Sequence, residues 1–543
     1  MSEGSIRSYQ TRISDGLDEP LSAYAFLMGH VEHRLFADIA SGKIAGDLKS
    51  SYLINFRITA RQFNAVRVKL EGKMNSVLQL QALRIETKKL QIASLEAALA
   101  RLKNKKTLHQ KKRRLAKLKY QLQNLETLQK NKKIALCFGT KKLFRTQFDR
   151  EANGYATHQE WKNDWKHARA SEIFILGSKD ETSGNQSCTA TIAQDNSITL
   201  RVRLPDALSA QFGKYLLIPN IRFAYGHEAI LAAIRDCHLR QQLSHLNDPA
   251  YKDHGQAITF RCKKDPKGWR IFTSIDIHLP KPITHKDKGV IGVDINSDHL
   301  AVVELDRFGN PIQTLNIPLH LRNTSKDQTK ALIGDASAQI IALCERTQKP
   351  LVLENLDFKK KKAQLREQNP TYSRMLSAFA YAAINTHLKS RGAIKGVEVY
   401  NVNPAFTSLI GCVKFAKRYG MTLHMAAALC IGRRFLGVSE RMPQGQRDIP
   451  DGKGGHVTLD LPVRNRSRHV WHQWGQLNRK LSAALTAHFR AVHTDPRALQ
   501  NGSCDSNALG PCRRNPGTRI VNTTALLTCL IYLCVCIDLS RFF

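Results

Sequence analysis

Three short apolar runs between residues 290 and 318 constrain the fold of this chain more than any other feature. The runs are VIGVDIN, LAVVELD and PIQTLNI, and the turn-forming stretches Asn296 to Asp298 and RFGN separate them. Strands that are joined by such short turns pair in antiparallel fashion. The segment therefore predicts three neighbouring antiparallel strands.

Helices and strands alternate after the third run. The stretch KDQTKALIGDASAQIIALCERTQK predicts a helix, and PLVLENLDF predicts a short apolar strand. A helix from Tyr372 to about Arg391, the strand GVEVYNVNP and a helix from about Leu423 to Leu436 complete the series. This order predicts a mixed sheet with helices on both of its faces.

Two acidic residues stand in the predicted strands of this sheet. Asp294 lies in the first strand, and Glu354 lies at the end of the strand PLVLENLDF. The carboxyl ends of parallel strands face one crevice, so neighbouring strands would bring the two carboxylates together. Buried like charges repel each other unless one is protonated or a cation joins them. An Asp after a strand is more often a turn former, so only the pair together predicts a site.

The charge of the chain indicates a polyanionic partner. Its 83 Lys and Arg residues exceed its 45 Asp and Glu residues, which gives a formal net charge of +38. Such an excess attracts nucleic acid, the commonest polyanion that a protein meets. A buried carboxylate pair in a polyanion-binding protein favours Mg²⁺ or Mn²⁺ as cofactor, and it favours phosphodiester hydrolysis as the reaction.

Apolar residues at helical spacing between about residues 73 and 135 predict a hairpin of two antiparallel amphipathic helices. These residues are Ile85, Ile92, Leu95, Leu99, Leu102, Leu115, Leu118, Leu122 and Leu125. Ten basic residues accompany them from Arg101 to Lys119. One interpretation is a solvated charged face, and the other, which we favour, is a nucleic-acid-binding face. The residues predicted to bind nucleic acid are Lys111, Lys112, Arg113, Arg114 and Lys117.

Three segments of the chain resemble the RuvC motifs of the OrfB/TnpB family. They are GVIGVDIN, LVLENLDF and NVNPAFTSLIGCVKFAKRYGMTLHMAAALCIGRR, and YLINFRITARQFNAV resembles the helical opening of that family. The family consists of insertion-sequence-associated, RNA-guided DNA nucleases that are related to type V CRISPR effectors. The resemblance covers roughly residues 20–440 and is strongest in the RuvC half.

The resemblance implies a multidomain α+β protein. Its RNase H-like (RuvC) α/β domain with a mixed sheet would follow a helical recognition lobe and a β-barrel-like wedge module. The predicted divisions are an N-terminal helical module (1–72), a helical-hairpin basic recognition lobe (73–169), a β-rich wedge module (170–288), the RuvC/RNase H-like domain (289–440), a basic C-terminal helical segment (441–495) and a tail without an assigned structure (496–543).

The resemblance also implies a set of catalytic metal ligands. Asp294 and Glu354 match the first two metal-binding carboxylates of the family, and His424 stands where the family has its third acid. No Asp or Glu occurs between Glu398 and Glu440. Either His424 binds the metal through an imidazole nitrogen, which suits Mn²⁺ better than Mg²⁺, or the third ligand is missing and His424 is an ordinary packed histidine.

The zinc ribbon of the family is not expected here. The family carries four cysteines before its third acid, but Cys412 is the sole cysteine between Ser408 and His424. The 12 cysteines of the whole chain include no CxxC pair, which favours a reducing cytosol. We also expect no membrane span, because the apolar stretch from Ala525 to Ile537 is shorter than the about 20 residues that a spanning helix needs.

The predicted function is RNA-guided DNA binding of the TnpB type, with guide RNA and target DNA as partners and with metal-dependent cleavage of the DNA. The expected location is the cytoplasm, in association with the nucleoid. A nuclease-inactive RNA-guided binder, acting as a repressor or recruitment factor, is the alternative. A transposase that joins strands is a further alternative, but the resemblance disfavours it because transposition in such elements usually belongs to a separate protein.

Overall fold

The computed structural model describes residues 5–13, 16–100, 102, 105–131, 133–321, 323–356, 380–438, 443–451 and 455–494. The chain divides into two compact units, Met1–His278 and Leu279–Phe543. The predicted tail 496–543 lies outside the described residues, and so does the first part, 372–379, of the predicted helix that begins at Tyr372.

Long helices dominate the first part of the first unit. They are α1 (Asp18–Ala40), α2 (Lys49–Phe56), α3 (Ala60–Leu99) and α4 (Lys105–Lys130). Helices α3 and α4 pack through Ile92, Leu95 and Leu118, with Leu99, Leu115 and Leu122 at the margin of this cluster. The predicted helical hairpin is therefore confirmed.

The remaining helices of the first unit are shorter than α3. They are α5 (Lys141–Thr146), α6 (His158–Arg169), α7 (Ser209–Phe212) and α8 (His227–His245). Helix α8 lies inside the segment that the sequence predicts to be rich in strands. It buries Ile230, Leu231, Ile234 and Cys237, whose spacing of three to four residues forms one apolar face.

Seven strands of the first unit form two separate sheets. A four-stranded antiparallel sheet has the order β1-β7-β6-β2, and a three-stranded sheet has the order β3-β4-β5. The strands are β1 (Ser5–Arg12), β2 (Glu172–Ile175), β3 (Cys188–Ile192), β4 (Ile198–Arg203), β5 (Tyr215–Ile221), β6 (Thr259–Asp265) and β7 (Gly268–Ile277). Strands β6 and β7 form a hairpin across KDPKGW, whereas a closed barrel stays a prediction. The predicted helical module 1–72 begins with a strand, β1.

The second unit contains the mixed five-stranded sheet that the sequence predicts. Its strands are β8 (Val290–Ile295), β9 (His299–Leu305), β10 (Pro311–Pro318), β11 (Leu351–Glu354) and β12 (Val399–Val402). The order is β10-β9-β8-β11-β12. Strand β9 pairs antiparallel with both of its neighbours, and β11 pairs parallel with both of its own. This arrangement agrees with an RNase H-like domain.

Helices cover both faces of this sheet. On one face, α9 (Lys326–Thr347) and α10 (Tyr381–Lys395) pack against Ile291, Val293 and Leu353. The chain then forms the short helices α11 (Thr407–Gly411) and α12 (Lys417–Tyr419), with a π-helical turn between them. On the other face, α13 (Leu423–Leu436) packs against Val290 and Val352. The helix spans the residues that the sequence predicts.

The second unit ends with a strand hairpin and a helix. They are β13 (Gln446–Pro450), β14 (His456–Asp460) and α14 (Val470–Thr494), which is the predicted C-terminal helix. Leu477 and Leu481 of α14 pack with Phe406 and Ile449 in a separate apolar cluster. Across the described ranges of both units, no helix is long and apolar enough to cross a membrane.

Candidate active site

The backbone pairing of β8 with β11 places Asp294 beside Glu354. The two strands run parallel, and Val293 pairs with Leu353, so the next residues along each strand are the two acids. Side chains alternate between the faces of a sheet, and Val290 and Val352 lie on the face that α13 covers. Asp294 and Glu354 are therefore on that same face, and both are buried, with 5% and 8% of their surfaces exposed.

The electrostatics of Glu354 show that the two acids affect each other. Burial, and secondly the negative charge of Asp294, raise the pKa of the Glu354 carboxyl to about 8. The hydroxyl of Thr407 donates a hydrogen bond to Oε1 of Glu354, and this bond and the charge of Arg434 act in the opposite direction on the pKa. Without a bound cation, Glu354 therefore favours its protonated form at neutral pH.

Helix α13 brings His424 to this pair. The helix begins directly after Thr422, whose side chain accepts a hydrogen bond from the backbone N–H of Met425 and caps the helix. His424 lies in the first turn, and its Nδ1 is 3.3 Å from Oδ2 of Asp294. The structure thus brings His424 to Asp294, as we expect from the sequence, and its role in catalysis stays a prediction.

Two further side chains, Asn296 and His299, lie beside the Asp294–His424 contact. Asn296 is 2% exposed, and its Nδ2 donates a hydrogen bond of 3.1 Å to Oδ2 of Asp294. Its Oδ1 is buried without a hydrogen-bond partner. The ring of His299 meets the ring of His424 edge to face, with 4.8 Å between the centroids. The alternation of a strand that continues past Ile295 could have indicated that Asn296 shares the face of Asp294.

Other residues hold Glu354 and the chain beside it. The hydroxyl of Tyr381 in α10 donates a hydrogen bond to the backbone carbonyl of Glu354. Arg434 donates hydrogen bonds to the backbone carbonyls of Asn403 and Ala405, the latter at 2.8 Å, just before α11 begins. No short sequence motif indicates these contacts, because they join distant segments of the second unit.

The donor atoms of the site fit a hard divalent cation only in part. Asp294 and Glu354 supply buried carboxylate oxygens, and the unpartnered Oδ1 of Asn296 is an additional oxygen of the kind that Mg²⁺ and Mn²⁺ accept. The positions described for the chain contain no group of three or more His, Cys, Asp or Glu side chains that could hold a metal ion. Asp294 and Glu354 therefore have the oxygen donors of metal ligands, but the described residues do not group them with His424 as a three-residue metal site.

The predicted nucleic-acid-binding residues lie on α4 in the first unit. Lys112, Arg113 and Lys117 are exposed, and Lys111 and Arg114 are partly exposed. Across the hairpin, Glu96 of α3 forms a 2.8 Å ion pair with Lys119. Most of the positive charge of α4 therefore faces solvent.

Comparisons with known proteins give only remote likenesses. No family model matches the chain, and no curated protein matches it in sequence. Among solved structures, a Cas12f1–sgRNA–target DNA complex is 11% identical over 79% of this chain and 99% of that chain, with a TM-score of 0.31. RuvC of T. thermophilus in complex with a Holliday junction substrate is 15% identical over 26% of this chain and 88% of that chain, with a TM-score of 0.20. A Cas12i1 R-loop complex after target DNA cleavage is 10% identical over 61% of this chain and 52% of that chain, with a TM-score of 0.22.

The class of the second unit is defined by its own strands and side chains. It is a mixed α/β domain that carries a buried carboxylate pair on two neighbouring parallel strands. The strand order agrees with the RNase H-like prediction, and the role of the acid pair stays a prediction.

Proposed function

We propose that this chain is an RNA-guided DNA-binding protein of the TnpB type that cleaves DNA phosphodiester bonds at a RuvC-like site. Mg²⁺ or Mn²⁺ is the proposed cofactor, and guide RNA and target DNA are the proposed partners. The net charge of +38 and the solvent-facing cations of α4 support binding of polyanions. The Cas12f1 structure reported above is a complex with sgRNA and target DNA, and the proposal assigns the same kinds of partner to this chain.

The observation that carries the catalytic part is the paired burial of Asp294 and Glu354. A protein gains nothing in stability from two adjacent buried acids without a counter-charge, because one of them must take up a proton. The raised pKa of Glu354 reflects this penalty. A divalent cation bound by both carboxylates would remove the penalty, which supports the proposal that the pair binds a metal ion.

Each residue of the site has a proposed task. Asp294 and Glu354 would hold the cation, which when bound would supply Lewis-acid stabilisation of the phosphate and activation of water. Thr407 orients the Glu354 carboxylate through its hydroxyl. His424 would either join the ligands or keep Asp294 in place through the contact between Nδ1 and Oδ2.

The proposed mode of target recognition is the one that RNA-guided nucleases use. In RNA-guided nucleases, base pairing with the guide supplies sequence specificity, while the protein binds the backbone and a short flanking motif. Backbone binding needs solvent-facing cations and no particular base contacts. Lys112, Arg113 and Lys117 of α4 meet that need.

A nuclease-inactive RNA-guided binder is the second candidate function. One observation favours it: an imidazole stands in the position of the third acid, and the described side chains do not assemble a three-residue metal group. In that case the chain would bind guided DNA without cutting it, as a repressor or recruitment factor does.

The test begins with the RNA that co-purifies with the full chain, which is sequenced and used to design matching DNA. Cleavage of that DNA is then measured with Mg²⁺ and with Mn²⁺. We expect Asp294→Asn to reduce cleavage by at least about 100-fold while guide binding is unchanged, because only the metal site is altered. The matched control is Glu345→Gln, a change of a surface acid in α9 that pairs with Lys395.

Two outcomes would decide against the proposal. If no RNA co-purifies, or if the chain with its RNA does not bind the matching DNA, the RNA-guided function is wrong. If guided DNA binds but neither metal supports cleavage by the unaltered chain, the nuclease-inactive binder replaces the nuclease.

A further inference from the structure

The three-stranded sheet of the first unit keeps one of its two faces open. Alternate residues of β4 and β5, among them Leu200, Val202 and Ile218, are buried in the core of the unit. The residues between them point the other way and form what we call the outer face. The outer face includes Thr191, Thr199, Arg201, Arg203, Tyr215 and Leu217.

Cations surround a tyrosine on the outer face. Arg203 pairs with Tyr215 across the two strands, and Arg201 pairs with Leu217. The guanidinium carbons of Arg201 and Arg203 lie 4.7 and 5.8 Å from the centre of the Tyr215 ring. The ammonium of Lys214 lies 5.9 Å from the same point. Three positive groups therefore share one aromatic ring.

Little of this positive charge is neutralised by the protein itself. Arg203 forms an ion pair with Asp206. In the part of the chain that the structure describes, Arg201 and Lys214 form no ion pair with an acidic side chain. The ring of Tyr215 and the side chain of Leu217 remain 43% and 57% exposed. The outer face thus offers unpaired cations beside accessible aromatic and apolar surface.

We propose that the outer face binds an unpaired strand of nucleic acid, with a base stacked on Tyr215 and phosphates held by Arg201 and Lys214. Unpaired bases expose planar rings that stack on aromatic side chains, and the neighbouring phosphates need cations within a few ångströms. A duplex fits less well, because its bases are already stacked on one another and only its backbone could reach the cations.

The inference rests on the proposed function only for the source of the strand, either the guide RNA or a displaced strand of target DNA. Binding at the outer face does not require Asp294 or Glu354. A chain that carries Asp294→Asn should therefore lose cleavage and keep binding at Tyr215, which separates a failure of this inference from a failure of the nuclease proposal.

The first experiment measures the affinity of the full chain for short fluorescent RNA and DNA strands without self-pairing. Tyr215→Ala should weaken the Kd about tenfold, the loss of one base–aromatic stack, and Tyr215→Phe should retain most of the affinity. Tyr225→Ala is the matched control, since Tyr225 is 84% exposed and no described cation lies over its ring. The relative losses for RNA and for DNA identify the source of the strand.

The second experiment locates the contact and counts its charges. Strands that carry 5-iodouracil should crosslink to the peptide that contains Tyr215, as identified by mass spectrometry. The double change Arg201→Gln and Lys214→Gln should reduce the slope of log Kobs against log salt by about 1.4, two phosphate contacts at about 0.7 each. Arg222→Gln is the control, because Arg222 is already paired with Asp195 at 2.8 Å.

Four results would each overturn the inference. One is an affinity that Tyr215→Ala leaves unchanged, and another is crosslinking confined to peptides that lack Tyr215. The third is a Tyr215→Phe chain that loses as much affinity as Tyr215→Ala, since the hydroxyl and not the ring would then make the contact. Equal effects of these changes on a duplex and on an unpaired strand would also contradict it.

Discussion

The α3–α4 hairpin and the carboxylate site hold charge in opposite ways. The hairpin exposes like charges on one helix, whereas the site buries two like charges on neighbouring strands. Exposed cations lose little hydration and act on distant anions through a field that salt screens. Buried acids act over a few ångströms, and their repulsion appears as a shift of the pKa of Glu354. Polyanion binding should therefore depend on salt, and the function of the site should depend on pH and metal.

The largest expected effect on nucleic-acid binding concerns the hairpin. Replacing Lys111, Lys112, Arg113 and Arg114 together by Gln removes four cations that can displace counterions from nucleic acid. The slope of log Kobs against log salt should fall by roughly 3, and the affinity for RNA should fall by at least about tenfold at moderate salt. Filter binding over a salt series measures both quantities. An unchanged slope would mean that α4 is only a solvated charged face.

The next effect concerns the imidazole at the carboxylate site. If His424 completes the ligand set, His424→Asp should raise Mg²⁺-dependent cleavage about tenfold, because a carboxylate is a harder ligand than imidazole. His424→Ala should abolish cleavage and leave RNA binding unchanged. Initial cleavage rates with each metal check these outcomes, and intact cleavage by His424→Ala would mean that the imidazole is not needed.

A third effect is a pH dependence of stability that comes from Glu354. The folded-state pKa of about 8 lies above the ordinary value of 4.5, so the folded state prefers the protonated acid. Its contribution to stability is complete below about pH 4.5 and is lost as the pH rises through 8. The measurement is made in the presence of a chelator, which removes divalent cations. Raising the pH from 5 to 9 should then lower the Tm of the unaltered chain by roughly 3 °C more than it lowers the Tm of Glu354→Gln. Added Mn²⁺ should reverse the fall, and parallel melting curves for the two chains would contradict the assignment.

The smallest expected effect is a loss of stability at acid pH, and it comes from His33 in the first unit. Burial, and secondly the charge of Arg169, lower the pKa of His33 to about 3 from an ordinary 6.5. Arg169 donates a hydrogen bond of 2.7 Å to Nδ1 of His33, which needs the neutral ring. The stability of this contact is complete above pH 6.5 and is lost as the pH falls toward 3. Melting curves of His33→Gln should not show this loss of stability at acid pH. If His33→Gln and the unaltered chain lose stability equally at acid pH, His33 is not the cause.

The sequence predicted the elements whose own pattern of apolar residues is strong. The three strands from residue 290 to residue 318 and helix α13 have such patterns, and the structure contains them. Strand β1 has none, because its residues are mostly polar and Ile6 is exposed, so its pairing with β7 decides its conformation. The segment YLINFRITARQFNAV, which resembles the helical opening of the OrfB/TnpB family, is divided at Arg57, where a left-handed residue ends α2. The Thr59–Gln62 capping box that starts α3 could have indicated the break.

The two acids of the site could be predicted from the sequence, but the side chains that contact them could not. Asp294 and Glu354 follow from the strands that carry them, because the parallel order fixes which residues are neighbours. The contacts of Thr407 and Asn296 could not be predicted, since hydrogen bonds between segments distant in sequence depend on the packing of the second unit.

Gly292 has a consequence for how this site can change. A Cβ at this position would lie 2.2 Å from the backbone oxygen of Ala428, so any larger residue would move α13 away from β8. His424 belongs to the same helix as Ala428, and its imidazole would move away from Asp294 with it. The residue at position 292 thus limits how closely α13 approaches β8. An alanine at position 292 would therefore move the His424 imidazole away from the Asp294 carboxylate without changing either side chain.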